Sequence, residues 1–302
     1  MPPNSRSRQR PMASSLVHEA LFTAGTSRND PCRIHYELHS SSATREALGS
    51  TKLFFVAGHS VNCAWWEPQV AHFTSRSSEY TVCIFDNRGV GSSETPRHAH
   101  STTTTSVFAA DALDLLDHLG WSSCVHIIGH SMGGMISQEL MLMAPERFAS
   151  CSLLSTNTSF PIPTLGCLKS MIGLTFASTT SGKADHLMDM WFPTSYLEVP
   201  GVLQMERRRL MKRAAFTWKQ PIRGLIGHTG AVLRHRVGRD RLRSLKDCGI
   251  RFLVVTGDAD IMVSPRGSHE IAKCLGVEVQ VFEECGHAIN FQEADRLNLL
   301  LE

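Results

Sequence analysis

Seven short apolar runs recur along this chain, at 33–38, 52–57, 81–85, 124–128, 152–154, 251–255 and 277–282. Stretches with helical apolar spacing separate most of them. The first alternates like a strand, and most of the others are nearly continuous in apolar residues, as strands must be when both faces of their sheet are covered. Strand–helix alternation of this kind predicts an α/β fold, with a mostly parallel central sheet flanked by helices. One helix is expected at 104–119, where Phe108, Leu115, Leu116 and Leu119 share a face behind a Thr104 or Thr105 cap. Another is expected at 132–148, broken at Pro145, and a third at 264–276, opening on Ser264-Pro265. From 160 to 245 the rhythm stops, and prolines and Met- and Arg-rich helical patches replace the strands. The expected organisation is a core of 19–159 and 246–302, a helical lid insertion at 160–245 and a disordered tail at 1–18.

A chain of 302 residues, 42% apolar and 19% charged, can bury one large core and is not disordered. Its net charge of +2 excludes a nucleic-acid protein that works by bulk charge. That sum hides an asymmetry. Between 200 and 246 stand 13 basic residues against two acids, Glu206 and Asp240, so the segment carries +11 and the rest of the chain −9. Two readings follow. The segment is a solvated face whose arginine stems cover the core, or it attracts an anionic head group such as a fatty acyl conjugate or a membrane surface.

Nine cysteines are scattered without a C-x-x-C pair. They are expected to be reduced, with Cys83 and Cys124 as small hydrophobes inside strands, which suits a cytoplasmic protein. No run of 18 apolar residues spans a membrane. The Arg- and Ser-rich N-terminus lacks an apolar signal core. It reads as a tail, with a mitochondrial transit peptide as the alternative and Met12 as a second start. No His, Cys and Asp set has metal spacing, so no metal is expected. The G-x-G of 86–91 lacks a third glycine in register, so it reads as a turn and no cofactor is expected.

The tripeptide Gly-His-Ser occurs at 58–60 and again at 129–131, each time after an apolar run. Only the second continues into Gly129-His130-Ser131-Met132-Gly133, a G-x-S-x-G between an expected strand and an expected helix. A serine nucleophile on a sharp strand-to-helix turn needs small residues on both sides so that the two elements can approach. Its hydroxyl is inert at neutral pH without a base, and the base needs an orienting acid. Asp258 and Asp260 follow the run at 251–255, and His287 follows the last run after Gly286. The order Ser, acid, His suits an acyl-transfer triad.

With these residues in place, the chain resembles the α/β-hydrolase fold superfamily, in its lid-bearing serine hydrolase branch, and a largely fungal group within it. The resemblance covers about 33–302. It matches the oxyanion loop with Ala57-Gly58-His59-Ser60, where Ala57 stands for the usual histidine. It matches the Asp-x-Arg-Gly-x-Gly-x-Ser turn with Asp86, Arg88, Gly89, Gly91 and Ser93. The Gly-x-x-Asp pattern falls on Gly257 and Asp260 and so favours Asp260 over Asp258. What the resemblance implies is a Ser131, Asp260 and His287 triad, with the N–H groups of His59 and Met132 as the oxyanion hole. Ser60, His130, Met135, Met190 and Trp191 are candidate substrate-binding residues. Met171, Met188 and Phe192 either join them in an acyl channel or simply pack the lid.

The implied partner is a small acyl or ester substrate, apolar or anionic. An acyltransferase, a thioesterase, a carbon–carbon bond hydrolase and a non-catalytic binder remain as alternatives. Epoxide hydrolases and haloalkane dehalogenases need an aspartate where Ser131 stands, and epoxide opening also wants insertion tyrosines, of which Tyr196 is the only one.

Overall fold

A computed structural model describes residues 15–41, 51–75, 79–96, 103–160, 162–217 and 220–302, with no side-chain placement at 212–217. Eight strands form one sheet: β1 (Leu16–Ala24), β2 (Cys32–Ser40), β3 (Thr51–Val56), β4 (Tyr80–Phe85), β5 (Val125–His130), β6 (Phe148–Leu154), β7 (Arg251–Gly257) and β8 (Val279–Phe282). Their order is β1-β2-β4-β3-β5-β6-β7-β8. The pairs β1–β2 and β2–β4 are antiparallel and every other pair is parallel. The order reverses around β3, which makes the crevice beyond its C-terminal end the natural place for a ligand.

The apolar runs become β2 to β8, and the inner ends of β3, β4, β6 and β7 are fully buried. Strand β1 lies outside the expected set. It falls partly within the tail expected at 1–18, of which 1–14 lie outside the described residues. Its residues LVHEALFTA alternate instead of running apolar, because β1 is an antiparallel edge with one solvated face and an exposed Leu21.

Helices α1 (Glu67–Ser75), α2 (Thr105–His118) and α3 (Met132–Met143) cover the first half of the sheet. Thr104 caps α2 by accepting the Val107 N–H. Helix α3 stops at Met143, and the chain re-enters the sheet at Phe148 instead of staying helical. Pro145 cannot donate to Met141 and its ring would clash with the preceding turn.

Between β6 and β7 the described residues hold helices α4 (Leu165–Phe176), α5 (Thr180–Trp191), α6 (Thr194–Leu197), α7 (Val202–Thr217), α8 (Ile222–Arg234) and α9 (Arg239–Arg243). The only sheet-like contact among the described residues there is an isolated bridge between Ser159 and Arg236. Helices α10 (Pro265–Leu275), α11 (Ile289–Gln292) and α12 (Ala294–Leu301) close the chain. Pro265 opens α10 at its first turn, but the Ser264 side chain makes no cap hydrogen bond. Two apolar clusters fill the two sides of the sheet. One is built around Phe54, Phe108, Leu115 and Ile136, the other around Phe55, Trp66, Phe73 and Phe282. All nine cysteines are free thiols. Cys83 is buried as expected, but Cys124 is exposed at φ 55° in the turn before β5, outside the strand expected to bury it.

Candidate active site

The loops that leave the C-terminal ends of β3, β5, β7 and β8 converge on one cavity, lined by Gly58, His59, Ser131, Met132, Met262 and His287 among others. Ser131 follows β5 directly, at φ 56° and ψ −122°. A non-glycine residue held there stores about 1–3 kcal/mol of strain, which persists only where the surroundings fix it. Three bonds fix this turn. The Ser131 N–H donates to Leu154 O at 2.9 Å, the Ser131 carbonyl accepts the Gly134 N–H at 2.9 Å, and the Thr156 hydroxyl donates to the same carbonyl at 2.7 Å.

The flanking glycines are a steric requirement. A Cβ on Gly129 would sit 2.3 Å from Ser137 Oγ and 2.6 Å from Gly133 O, and one on Gly133 would sit 2.0 Å from Val56 O. Met132 is the first residue of α3, so its N–H has no acceptor inside the helix and is free to face a ligand.

His287 donates Nδ1–H to Asp260 Oδ2 at 2.7 Å, with both groups buried. The other oxygen of Asp260 accepts the N–H groups of Met262 at 2.8 Å and Val263 at 2.9 Å. Asp260 is thus saturated and its orientation fixed, while Asp258 is exposed. With Nδ1 committed to Asp260, the Nε2 edge of His287 remains for the cavity that it shares with Ser131. His130 donates Nε2–H to the backbone carbonyl of His287 at 2.8 Å, which ties the β5 turn to the β8 loop. Burial, with a smaller contribution from His287, pushes the His130 pKa well below its ordinary value, so its ring is neutral.

The loop after β3 lies on Ser131: a Cβ on Gly58 would come within 3.2 Å of Ser131 Cβ. Its supports are residues that the sequence did not single out. Asn87 donates its amide N–H to Ala57 O at 3.1 Å, next to the position where the usual histidine is missing. From α8, His228 accepts the Ser60 N–H on Nδ1 at 3.1 Å and donates Nε2–H to Arg88 O at 2.9 Å. Thr229 meets His59 Nε2 at 3.0 Å. Burial lowers the pKa of His228 to about 3 and that of His59 to about 4, so both stay neutral. Helix α8 reaches this loop because Gly224 packs against Gly89, where an added Cβ would stand 2.1 Å from Gly89 O.

Among the remaining candidates, His130, Met135 and Trp191 line the cavity, as do Trp65, Cys167 and Met171. Two candidates do not. The Ser60 hydroxyl is buried without a hydrogen-bond partner among the described residues, and only its backbone is engaged. Met190 is buried off the cavity wall, because its neighbour Trp191, one step of about 100° around α5, takes the cavity-facing position.

A second cluster sits beside the turn after β4, where His35, Cys63 and Asp86, and also Glu19, His35 and Glu37, bring metal-ligating atoms within 4.8 Å of one another. Its contacts are those of a proton-held network. Asp86 accepts the N–H groups of Cys63 at 2.7 Å and Ser92 at 2.8 Å, and His35 donates Nε2–H to Glu19 at 2.9 Å. Burial alone would lower the His35 pKa, but the bond and charge of Asp86, with Glu19 and Glu37, hold it up at about 9. Beside it Arg88 forms a two-pronged pair with Asp111, at 2.6 and 2.7 Å, which braces the turn. The G-x-G there leaves room for the Asp86 carboxylate: a Cβ on Gly91 would meet Asp86 Oδ2 at 2.2 Å.

Residues 45–178 match the protein family described as the alpha/beta hydrolase fold. Over 100 residues the chain is 37% identical to epoxide hydrolase 4 of Mus musculus, an alignment covering 33% of this chain and 25% of that protein. It is 27% identical over 270 residues to the dihydrolipoyllysine-residue acetyltransferase component of the acetoin cleaving system of Cupriavidus necator, covering 85% of this chain and 64% of that protein. The chain thus spans less than two thirds of the length of either relative. These relatives are mammalian and bacterial; the fungal likeness read from the sequence has no counterpart in them. Among solved structures, the enol-lactonase of Burkholderia xenovorans superposes with a TM-score of 0.73 at 20% identity, covering 93% of this chain and 98% of that one. A thermophilic esterase of Thermogutta terrifontis does so with a TM-score of 0.72 at 17% identity, covering 94% and 96%.

Proposed function

We propose, from the α/β-hydrolase fold that this chain has, that it is a serine hydrolase acting on a carboxylic ester or related acyl compound through an acyl-enzyme on Ser131. The observation that carries this reading is the buried 2.7 Å bond from His287 to Asp260, which presents His287 to the cavity that also holds the strained Ser131 turn. In the proposed reaction His287 Nε2 takes the Ser131 hydroxyl proton as Oγ attacks the acyl carbon. It returns that proton to the leaving group, and a water activated in the same way releases the acid. Asp260 holds the imidazole tautomer and stabilises the imidazolium. The N–H groups of His59 and Met132 receive the developing oxyanion, each worth about 3–4 kcal/mol of transition-state stabilisation. The helical insertion acts as the lid, and its Cys167, Met171 and Trp191, with Trp65 and Met135, offer an apolar acyl pocket.

The mouse relative's name suggests epoxide chemistry. Two features of this chain favour ester chemistry. Serine replaces the aspartate that epoxide opening needs, and Tyr196 donates its hydroxyl to Glu206 at 3.1 Å and does not line the cavity. The relative named as an acetyltransferase component favours a second reading, in which an acceptor other than water takes the acyl group. Turnover of p-nitrophenyl esters of rising chain length tests the first reading. Release of nitrophenol by the wild type and its loss in Ser131→Ala is the expected result; equal release by both proteins would refute it. Acid as the sole acyl product in the presence of small alcohols and thiols would then refute the transfer reading.

A further inference from the structure

Fifteen of the 19 exposed large apolar side chains among the described residues fall between Phe160 and Leu233, in about a quarter of the chain. Single exposed apolar residues are ordinary, but a contiguous patch of them marks an interface. The patch has an order. On α4, Leu165, Leu168, Ile172 and Phe176 stand at i, i+3, i+7 and i+11 and are 87%, 45%, 52% and 82% exposed, so they form one outward stripe. The opposite face of α4 places Cys167 in the cavity wall. A helix apolar all round belongs in a core or in lipid, and α4 carries a single charge, Lys169. On α8, Ile222, Leu225 and Ile226 are exposed on the face that continues to Thr229 and Leu233, which line the cavity. Phe160, Met171 and Leu233 are both exposed and cavity-lining, so the exposed apolar residues of both helices reach the cavity that holds Ser131.

We propose that the α4–α8 face seats on the surface of a lipid bilayer carrying anionic head groups, and that the cavity draws its acyl substrate from that surface. Charge and continuity choose this occupant. The segment 200–246 carries +11 against −9 for the remainder. Part of that charge is committed within the protein, where Arg207 pairs with Asp185, Arg209 with Glu206, Arg239 with Glu270, Arg241 with Glu139 and Arg243 with Asp240. Lys169 and Arg223 stand exposed on the two apolar helices themselves, where an anionic surface would meet them. A second copy of the chain would bring two such basic segments together. A folded partner over the mouth would seal Ser131 off, whereas a lipid surface supplies what an apolar cavity takes in. At 12 residues α4 is too short to cross a bilayer, and lies in its surface.

The use of this surface rests on the proposed hydrolase reading, but its binding does not, so binding is measured on full-length Ser131→Ala. Co-sedimentation with phosphatidylcholine vesicles, with and without phosphatidylglycerol, is compared for this protein and for Leu165→Glu/Ile172→Glu/Phe176→Glu on the same background. The expected result is binding that rises with phosphatidylglycerol, falls with salt, and drops roughly tenfold or more in the triple variant. Lys169→Glu/Arg223→Glu should lose only the phosphatidylglycerol-dependent part. The triple variant in the active protein should keep its thermal melt and its turnover of a water-soluble ester, which separates lost docking from lost folding or lost catalysis. Absence of vesicle binding overturns the proposal, as does binding that the triple variant retains. A dimer that the triple variant dissociates, without vesicle binding, assigns the face to a second copy instead.

Discussion

Of the three glycines of helix α8, Gly224 and Gly230 should respond to replacement by alanine differently, by an amount set by their neighbours. In a helix interior Gly→Ala alone gains about 1 kcal/mol. At Gly230 the atoms nearest an added Cβ are those of the Arg234 guanidinium, at 2.8 Å and beyond, the end of a long exposed side chain whose Nη2–H donates to Thr103 O. Gly230→Ala should therefore be close to neutral, because shifting Arg234 against its bond to Thr103 O offsets most of the gain of about 1 kcal/mol. At Gly224 the Cβ meets backbone: Gly89 O at 2.1 Å, Gly89 C at 2.9 Å and Gly89 Cα at 3.1 Å. Relief requires α8 to move off the turn after β4, and overpacking of that kind costs about 1–3 kcal/mol. All three contacts are backbone, so the cost falls in the upper part of that range, about 2–3 kcal/mol, and Gly224→Ala should be destabilised by about 1–2 kcal/mol net. For a chain of this size the two variants should differ in Tm by about 2–3 °C. The displacement should also loosen the hydrogen bond from Ser60 N–H to His228 and lower turnover of a soluble ester, whereas Gly230→Ala should leave turnover unchanged. Thermal denaturation of both variants beside the wild type is the assay. A Gly224→Ala protein as stable as Gly230→Ala would refute the close approach of α8 to the Gly89 turn.

Three further outcomes follow from the site and its surroundings. His228→Ala leaves the Ser60 N–H and Arg88 O without partners; kcat for a soluble ester should fall about tenfold with KM little changed, and steady-state kinetics showing a KM effect alone would assign His228 to substrate binding. Asp260→Asn removes the acceptor that fixes the His287 tautomer and should lower kcat by about 10³–10⁴-fold while the fold persists; retained turnover would point to Asp258. His35 has a folded pKa of about 9 against an unfolded value near 6.5, so its contribution is fully present below about pH 6.5 and is lost as pH rises toward 9. Urea titrations across that range should show stability declining by at most about 3 kcal/mol, and His35→Gln should flatten the decline; an unchanged slope in the variant would remove His35 as its source.

The elements most legible in the sequence are those whose signal is local. Strands β3 to β7 announce themselves as apolar runs because both faces of the sheet are covered there, and β2 and β8 as short alternating segments beside them. The Ser131 turn announces itself because Gly129 and Gly133 are required within two residues of it by contacts at 2.0–2.6 Å. Strand β1 escaped because an edge strand needs apolar residues on one face only, so LVHEALFTA alternates. Only a family resemblance separates Asp260 from Asp258 in the sequence, because the geometry that distinguishes them, two backbone N–H groups on Oδ1 and His287 on Oδ2, is a matter of tertiary structure. His228 and Asn87 were invisible for the same reason. One is among 15 histidines and meets Ser60 across 168 residues of sequence, the other meets Ala57 across 30. Met190 and Trp191 were indistinguishable by composition, and only the angle between adjacent helix positions separates the buried residue from the cavity-lining one.

The proposed activation of Ser131 by His287 is tested by intact-protein mass spectrometry after exposure to a fluorophosphonate, followed by peptide mapping. One phosphonyl adduct is expected, on Ser131, formed rapidly in the wild type, slowly in His287→Ala and not at all in Ser131→Ala. A folded wild-type chain that stays unmodified, or an adduct that maps to a residue other than Ser131, would contradict it.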